Sequence, residues 1–222
     1  KELGKNLAFF QMISVFLEGI YYGLAVNVII QPFLRNFLNF HKSFYSDESY
    51  LTHTLPVTKN QLLNSKYLTA LIEMFIGFSL LIMYASPTLD DFLTLLISTI
   101  ITGSFSLTFV IILLITLVIV EFLMFISIIY FSITIAYKSK DKRIFKSFLI
   151  ATAMSFASLI VLSIALLIVL LINDVKLTIS TLILSNTAFI SVFVTAIILY
   201  SAITILFYFI TKRELNKGVN ID

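Results

Sequence analysis

The most restrictive feature of this sequence is a 46-residue apolar stretch, Phe92 to Tyr137, that contains no lysine, arginine or histidine. As one straight helix it would be about 70 Å long, more than twice the roughly 30 Å hydrocarbon thickness of a bilayer. A soluble domain is about 25% charged, whereas this chain is 12% charged and 59% hydrophobic. The chain therefore belongs in a membrane, and the long stretch must bend or break.

Five apolar blocks are long enough to cross a bilayer as helices. They cover residues 7–34, 67–86, 92–137, 148–172 and 188–211. The sequence predicts an all-α protein, a polytopic transmembrane helical bundle of five spans that forms a single transmembrane domain over residues 1–222.

Twelve of the fifteen basic residues fall in three segments between or after these blocks. They are Arg35, Lys42, Lys59 and Lys66, then Lys138, Lys140, Lys142, Arg143 and Lys146, then Lys212, Arg213 and Lys217. Because basic loops stay on the cytoplasmic side, we expect a cytoplasmic loop at 35–66, a basic cytoplasmic loop at 138–146 and a cytoplasmic tail. The basic loop is expected to fix topology and touch anionic headgroups.

The loops between these basic segments carry Asp90, Asp91 and Asp174 against a single base, Lys176, so we expect them outside the cell. An external turn at 86–91 and a cytoplasmic loop at 138–146 require the third block to cross the membrane an odd number of times. A single crossing from Leu107 to Tyr137 meets this requirement. We expect an external interfacial or re-entrant segment at 87–104 before it, with Gly103 at the joint. Such a segment needs its backbone covered by protein. Residues 177–184 are a smaller candidate of the same kind.

The same parity places the amino terminus outside the cell. Residues 1–6 do not resemble the basic start of a signal peptide. We therefore expect that a leading span precedes this sequence and that the natural protein has six spans. A processed five-span protein is the alternative.

The loop at 35–66 carries two helix-start signals. Ser46 can cap a short helix over residues 47–53, whose two acids suit the positive end of the helix dipole. Thr58 and Gln61 have the spacing of a capping box, in which each side chain bonds the other residue's backbone amide. The predicted order is a short helix, a turn at Pro56, and a new helix entering the membrane.

Residues 45–66 read Y-S-D-E-S-Y-L-T-H-T-L-P-V-T-K-N-Q-L-L-N-S-K. This string resembles the first loop of Gram-positive ABC-2 type exporter permeases, which reads D-E-x-Y-L-x-x-T-L-P-V, a polar turn, and Q-L-L-x-S-K. The span order and the basic tail at 210–216 are also similar. Within that family the chain looks most like permeases of exporters for phenol-soluble modulins and antimicrobial peptides.

The resemblance implies a six-span permease that pairs with a second copy or a homologous permease above cytoplasmic ABC ATPase subunits, in the bacterial plasma membrane. ATP and Mg²⁺ would be bound by that ATPase. The loop would carry the coupling helix that docks into it, and the residues carried over for docking are Asp47, Glu48, Tyr50, Leu51, Leu55 and Pro56. The expected substrates are amphipathic or antimicrobial peptides, or other amphiphiles.

Three carboxylates lie inside apolar blocks: Glu18, Glu73 and Glu121. Each would cost at least about 2 to 3 kcal/mol at mid-membrane, so none should face lipid. They either line a pathway that attracts cationic peptide or stay protonated and hydrogen-bonded between helices. A proton relay, as in a secondary transporter, is a third interpretation.

Other chemistry finds little support in the sequence. The phosphate-binding pattern G-x-x-x-x-G-K-S/T is missing, there is no cysteine, and His41 and His53 are the only histidines. We expect no catalytic residues, no metal site and no nucleic-acid partner. The alternatives to an exporter subunit are a stand-alone channel or secondary transporter and a non-transporting peptide-immunity membrane protein.

Overall fold

The computed structural model describes residues 2–46, 57–101, 107–139, 142–173 and 186–217. Within these ranges all secondary structure is helical and there is no strand, which confirms the all-α prediction for this part of the chain. The helices are α1 (Glu2–Tyr45), α2 (Lys59–Ile101), α3 (Leu107–Ala136), α4 (Arg143–Ile172) and α5 (Asn186–Asn216).

In the part of the chain that the structure describes, three helices are long and apolar enough to cross a membrane. The segments are Thr108–Ala136 in α3, Arg143–Ile172 in α4 and Ile190–Asn216 in α5. The predicted crossing from Leu107 to Tyr137 matches α3 to within a residue.

Helix α3 lies at the centre of the bundle and packs against each of the other four helices. Met124, Ile126 and Ile128 are fully buried in it. Helix α4 lies at the edge, and its only buried residues are Ser147 and Ser158. Since the apolar side chains of α4 are left exposed by the chain, lipid is their natural environment.

Helix α1 is longer than the sequence predicted. It continues eleven residues beyond the expected end at Leu34 and stops at Tyr45, because Asn36, Phe40 and Phe44 follow one another at four-residue spacing and share one buried face. The Phe40 ring stacks on Tyr130 of α3 with centroids 4.2 Å apart. The connection between α1 and α2 is therefore 46–58, shorter than the expected loop at 35–66.

Helix α2 is also longer, because it runs without a break through the expected external turn at 86–91. One proline, Pro87, removes a single backbone hydrogen bond, while a continued helix pairs all the other backbone groups within the segment, as lipid favours. The expected separate segment at 87–104 is thus part of α2 as far as Ile101. Its position relative to the membrane stays a prediction, and residues 102–104 lie outside the described ranges.

The predicted capping box at the start of α2 is confirmed. The Gln61 backbone amide donates to Thr58 Oγ1 at 3.3 Å, and the Thr58 amide donates to Gln61 Oε1 at 2.9 Å. At the end of α1 the Ser46 hydroxyl donates to the Lys42 carbonyl at 2.7 Å. The short helix that Ser46 was expected to cap lies outside the described residues.

Candidate functional site

A buried polar junction joins α1, α2 and α3 around Asn36, which is 2% exposed. Its side-chain nitrogen donates to Glu73 Oε2 at 2.8 Å and to the Pro32 carbonyl at 2.8 Å. Its side-chain oxygen accepts a 3.1 Å hydrogen bond from the Tyr130 hydroxyl, which also lies 3.3 Å from the Lys66 carbonyl. One asparagine therefore ties a carboxylate of α2 and a phenol of α3 to α1.

Next to this junction α1 and α2 approach each other closely at Pro32 and Gly77. A Cβ atom on Gly77 would lie 3.4 Å from Pro32 Cγ and 3.8 Å from the Val28 carbonyl oxygen. Proline has no amide hydrogen, so that carbonyl lacks its usual helical donor. A methyl group would just fit at position 77, so the approach excludes side chains larger than alanine.

A small polar pocket of about 140 Å³ lies on one side of this contact. Gln31, Arg35 and Glu73 supply its polar walls. The negative charge of Glu73 is therefore stabilised by two groups, the Asn36 amide that donates to it and the Arg35 guanidinium that lines the same pocket.

An apolar cavity of about 300 Å³ lies on the other side, between α1, α2 and α3. Glu121 is its one acidic residue, and the other walls include Phe33, Phe78, Phe122 and Phe125. Within the described ranges the Glu121 carboxyl has no hydrogen bond and no ion pair. A carboxylate here is uncompensated, unlike that of Glu73.

At one end of the bundle, which we call the basic end, three contacts join the basic segments. Lys59 Nζ donates to the Leu215 carbonyl at 2.9 Å, and Lys138 Nζ lies 2.6 Å from Glu214 Oε2. A hydrogen bond joins His41 Nε2 and the Tyr137 hydroxyl. The contacts link the segments around 35–66, 138–146 and 212–217 to one another, so these segments lie at the same end of the bundle. Their cytoplasmic location stays a prediction.

His41 is half-buried at the basic end, beside the ring of Tyr137. Burial lowers the pKa of His41 from its usual value of 6.5, because desolvation penalises the charged imidazolium. At neutral pH the contact is therefore a hydrogen bond between two neutral rings.

The predicted docking residues Asp47, Glu48, Tyr50, Leu51, Leu55 and Pro56 lie outside the described ranges. Glu18 lies in α1, and its side chain is also outside the description. Of the three predicted carboxylates, the structure places Glu73 and Glu121 on opposite sides of the Pro32–Gly77 contact. Within the described ranges, no group of three or more histidine, cysteine, aspartate or glutamate residues is placed so that it could hold a metal ion.

Asn36 and Tyr130 are missed by the sequence analysis. Asn36 precedes Phe40 and Phe44 at four-residue spacing, and that spacing could have placed it on a buried face. Tyr130 carries no such signal, because large apolar residues fall on every side of α3 in this run. Only the packing of α3 against α1 and α2 singles it out.

These features define an all-helical membrane protein with a polar junction and an acid-containing cavity between α1, α2 and α3. In comparisons with known proteins, no family model, no curated protein and no solved structure matches this chain.

Proposed function

We propose that this chain is the membrane-spanning permease subunit of an ATP-driven ABC exporter in the plasma membrane of a Gram-positive bacterium. It crosses the membrane five times and has no catalytic residue of its own. ATP and Mg²⁺ are bound by a separate cytoplasmic ABC ATPase, and the permease works with a second copy or a homologous permease. The substrates are amphipathic or antimicrobial peptides, or other amphiphiles.

The observation that carries this proposal is how the two sides of the loop at 47–56 are attached. Before the loop, His41 of α1 bonds to Tyr137 at the end of α3. After the loop, Lys59 of α2 bonds to the Leu215 carbonyl of α5. A force applied to this loop would be transmitted to four helices, as a coupling element requires. The resemblance of residues 45–66 to the loop of ABC exporter permeases indicates that the force comes from an ABC ATPase.

The polar interior supports a pathway for cationic amphiphiles. Glu121 lines an apolar cavity, and Glu73 lines the adjoining polar pocket. Glu18 is proposed as a third acid of this pathway because it lies inside the first apolar block of the sequence. Acids near a membrane-accessible cavity raise the local concentration of cationic ligands.

The sidedness of the loop can be tested directly, because the chain contains no cysteine. Single cysteines at Ser49, Lys142 and Asp174 are to be treated with a membrane-impermeant maleimide in intact cells and in opened cells. We expect Ser49→Cys and Lys142→Cys to react only after opening, and Asp174→Cys to react in intact cells. Labelling of Ser49→Cys from outside would rule out a cytoplasmic coupling loop.

The motor is tested by purifying the tagged chain from a Gram-positive host and assaying the preparation for a co-purifying subunit that hydrolyses ATP. Reversing Asp47 and Glu48 to lysine should abolish co-purification without reducing membrane insertion. Reversing Asp90 and Asp91, a second acidic pair expected on the other side, is the matched control and should change neither. Purification without an ATPase would overturn the proposal; transport without ATP would then favour a channel or secondary transporter, and peptide binding without transport an immunity protein.

A further inference from the structure

The apolar cavity between α1, α2 and α3 contains a carboxylate that the described chain does not neutralise. We propose that this cavity binds an alkylammonium group, with Glu121 as its counter-ion and phenylalanine rings as its walls. The inference builds on the substrate pathway proposed above and names the chemical class that its central site accepts.

The charge of the cavity is the first argument. A carboxylate inside a membrane protein normally pairs with a cation or a hydrogen-bond donor, because an isolated charge at this depth is costly. Within the described ranges no basic side chain pairs with Glu121, and the ion pairs found there involve Glu214 instead. A bound ligand cation would supply the missing charge.

The walls of the cavity are the second argument. Phe33 lies 5.0 Å from Phe122 and 6.0 Å from Phe125 between ring centroids, and the latter pair meets edge to face at 82°. Phe78 lines the same cavity. Aromatic rings around a carboxylate are the elements that bind organic ammonium ions, through cation–π attraction and contact with the alkyl substituents.

The depth of Glu121 separates this ligand from ordinary lipid. Glu121 is 13 residues from Thr108 and 15 residues from Ala136, the ends of the apolar segment of α3. At 1.5 Å per residue it lies about 20 Å from either end, whereas one leaflet of hydrocarbon is roughly 15 Å thick. A phospholipid whose headgroup stays at the interface cannot bring its ammonium to Glu121, but an amine carried inward by an amphiphilic substrate can.

Glu73 does not offer an equivalent site. Its carboxylate already accepts a hydrogen bond from Asn36, and Arg35 lines the same pocket. A ligand cation there would have to compete with the internal donor Asn36, so Glu73 can attract cations into the pathway but is not their counter-ion at the central site. The matched control for Glu121→Gln is Glu214→Gln, which makes the same substitution at a carboxylate outside the cavity, where Glu214 pairs with Lys138 and Lys217.

The test uses the full chain in lipid nanodiscs and two probes of the same shape, benzyltrimethylammonium and its uncharged analogue neopentylbenzene. We expect the ammonium to bind the natural chain, with Glu121→Gln weakening this binding by about tenfold or more and Glu214→Gln by less than about threefold. The uncharged analogue should bind the natural chain and Glu121→Gln equally well. Equal affinity of the ammonium for the natural chain and Glu121→Gln would overturn the proposal.

Two further measurements cover a Glu121→Gln chain that fails to fold. Phe125→Leu should lower the ratio of ammonium affinity to analogue affinity, and an unchanged ratio contradicts the aromatic wall. In the natural chain, the ammonium should slow dicyclohexylcarbodiimide modification of Glu121 more than the uncharged analogue does. Equal protection by both probes contradicts a charge-selective site.

These outcomes are independent of the motor. Ammonium binding without a co-purifying ATPase would support the ammonium site and contradict the exporter function. An ATPase partner without ammonium selectivity would support the exporter function and contradict the ammonium site.

Discussion

The hydroxyl of Tyr130 donates a 3.1 Å hydrogen bond to the side-chain oxygen of Asn36, and both residues are almost fully buried. They lie 94 positions apart in the chain. The bond leaves the amide nitrogen of Asn36 oriented toward Glu73. It therefore fixes the hydrogen-bonding role of Glu73, whereas Glu121 has no hydrogen bond within the described ranges.

Removing the phenol of Tyr130 is predicted to destabilise the bundle. In Tyr130→Phe the Asn36 side-chain oxygen stays buried without this donor, and an unsatisfied buried acceptor costs about 1 to 3 kcal/mol. The free energy of unfolding, measured by denaturant titration in detergent micelles, should fall by that amount.

The control for this prediction is Tyr208→Phe. The Tyr208 hydroxyl donates to Asn64 Oδ1 at 2.7 Å in an exposed position, where water can replace it. We expect a loss below about 0.5 kcal/mol, because exchanging an exposed bond for water is nearly neutral. Equal losses for the two variants would show that the Asn36 junction contributes no special stability.

The stability of the chain is predicted to fall as the pH drops below neutral. Burial lowers the pKa of His41 from 6.5, so between its folded and unfolded pKa values the unfolded chain binds more protons. Stability then rises with pH and is lost as the pH falls through 6.5 toward the folded pKa. Unfolding titrations between pH 7.5 and 5.5 measure this slope.

His41→Gln should flatten the slope, because it removes the titrating group. The control is His53→Gln, the same change at the other histidine. It shows how much of the effect comes from losing any one imidazole and how much is specific to His41. If the pH dependence of stability disappears in His53→Gln and persists in His41→Gln, the prediction is wrong and His53 is the titrating residue.

Glycine at position 142 is predicted to stabilise the start of α4. Lys142 has φ 48° and ψ 42°, in the left-handed region, with no side-chain capping bond. A non-glycine residue there costs roughly 1 kcal/mol. Lys142→Gly should therefore unfold at higher denaturant than Lys142→Gln, which removes the same charge and keeps the strain. Equal midpoints would mean that the backbone at 142 is unstrained.

The contact between Gly77 and Pro32 predicts a sharp dependence on side-chain size. An alanine Cβ would meet Pro32 Cγ at an ordinary 3.4 Å, so Gly77→Ala should be neutral or gain up to about 1 kcal/mol from helix propensity. Gly77→Leu must push α1 and α2 apart and should lose about 1 to 3 kcal/mol. Thermal unfolding of both variants in the same detergent tests this, and a stable Gly77→Leu would show that the helices are not closely packed there.

The order of hydrophobic blocks was enough to predict a membrane protein that is helical throughout its described ranges, and to predict the bounds of α3 to within a residue. Local chemistry also predicted the capping box of Thr58 and Gln61, because both partners lie within one helical turn. Helix ends were less well predicted. Helix α1 reaches Tyr45 because Phe40 and Phe44 pack on other helices. The polarity of residues 35–45 alone does not show that these packing partners exist.

The sequence by itself determined that Glu73 and Glu121 are acids in an apolar setting, but it did not show which side chains surround either one. The tertiary structure decided that they differ: Glu73 accepts a bond from Asn36, while Glu121 faces an apolar cavity. Which donor reaches a carboxylate depends on how helices from distant parts of the chain are packed and rotated about their axes. Composition and local spacing do not specify that rotation, because it is set by the interlocking of side chains across the whole bundle.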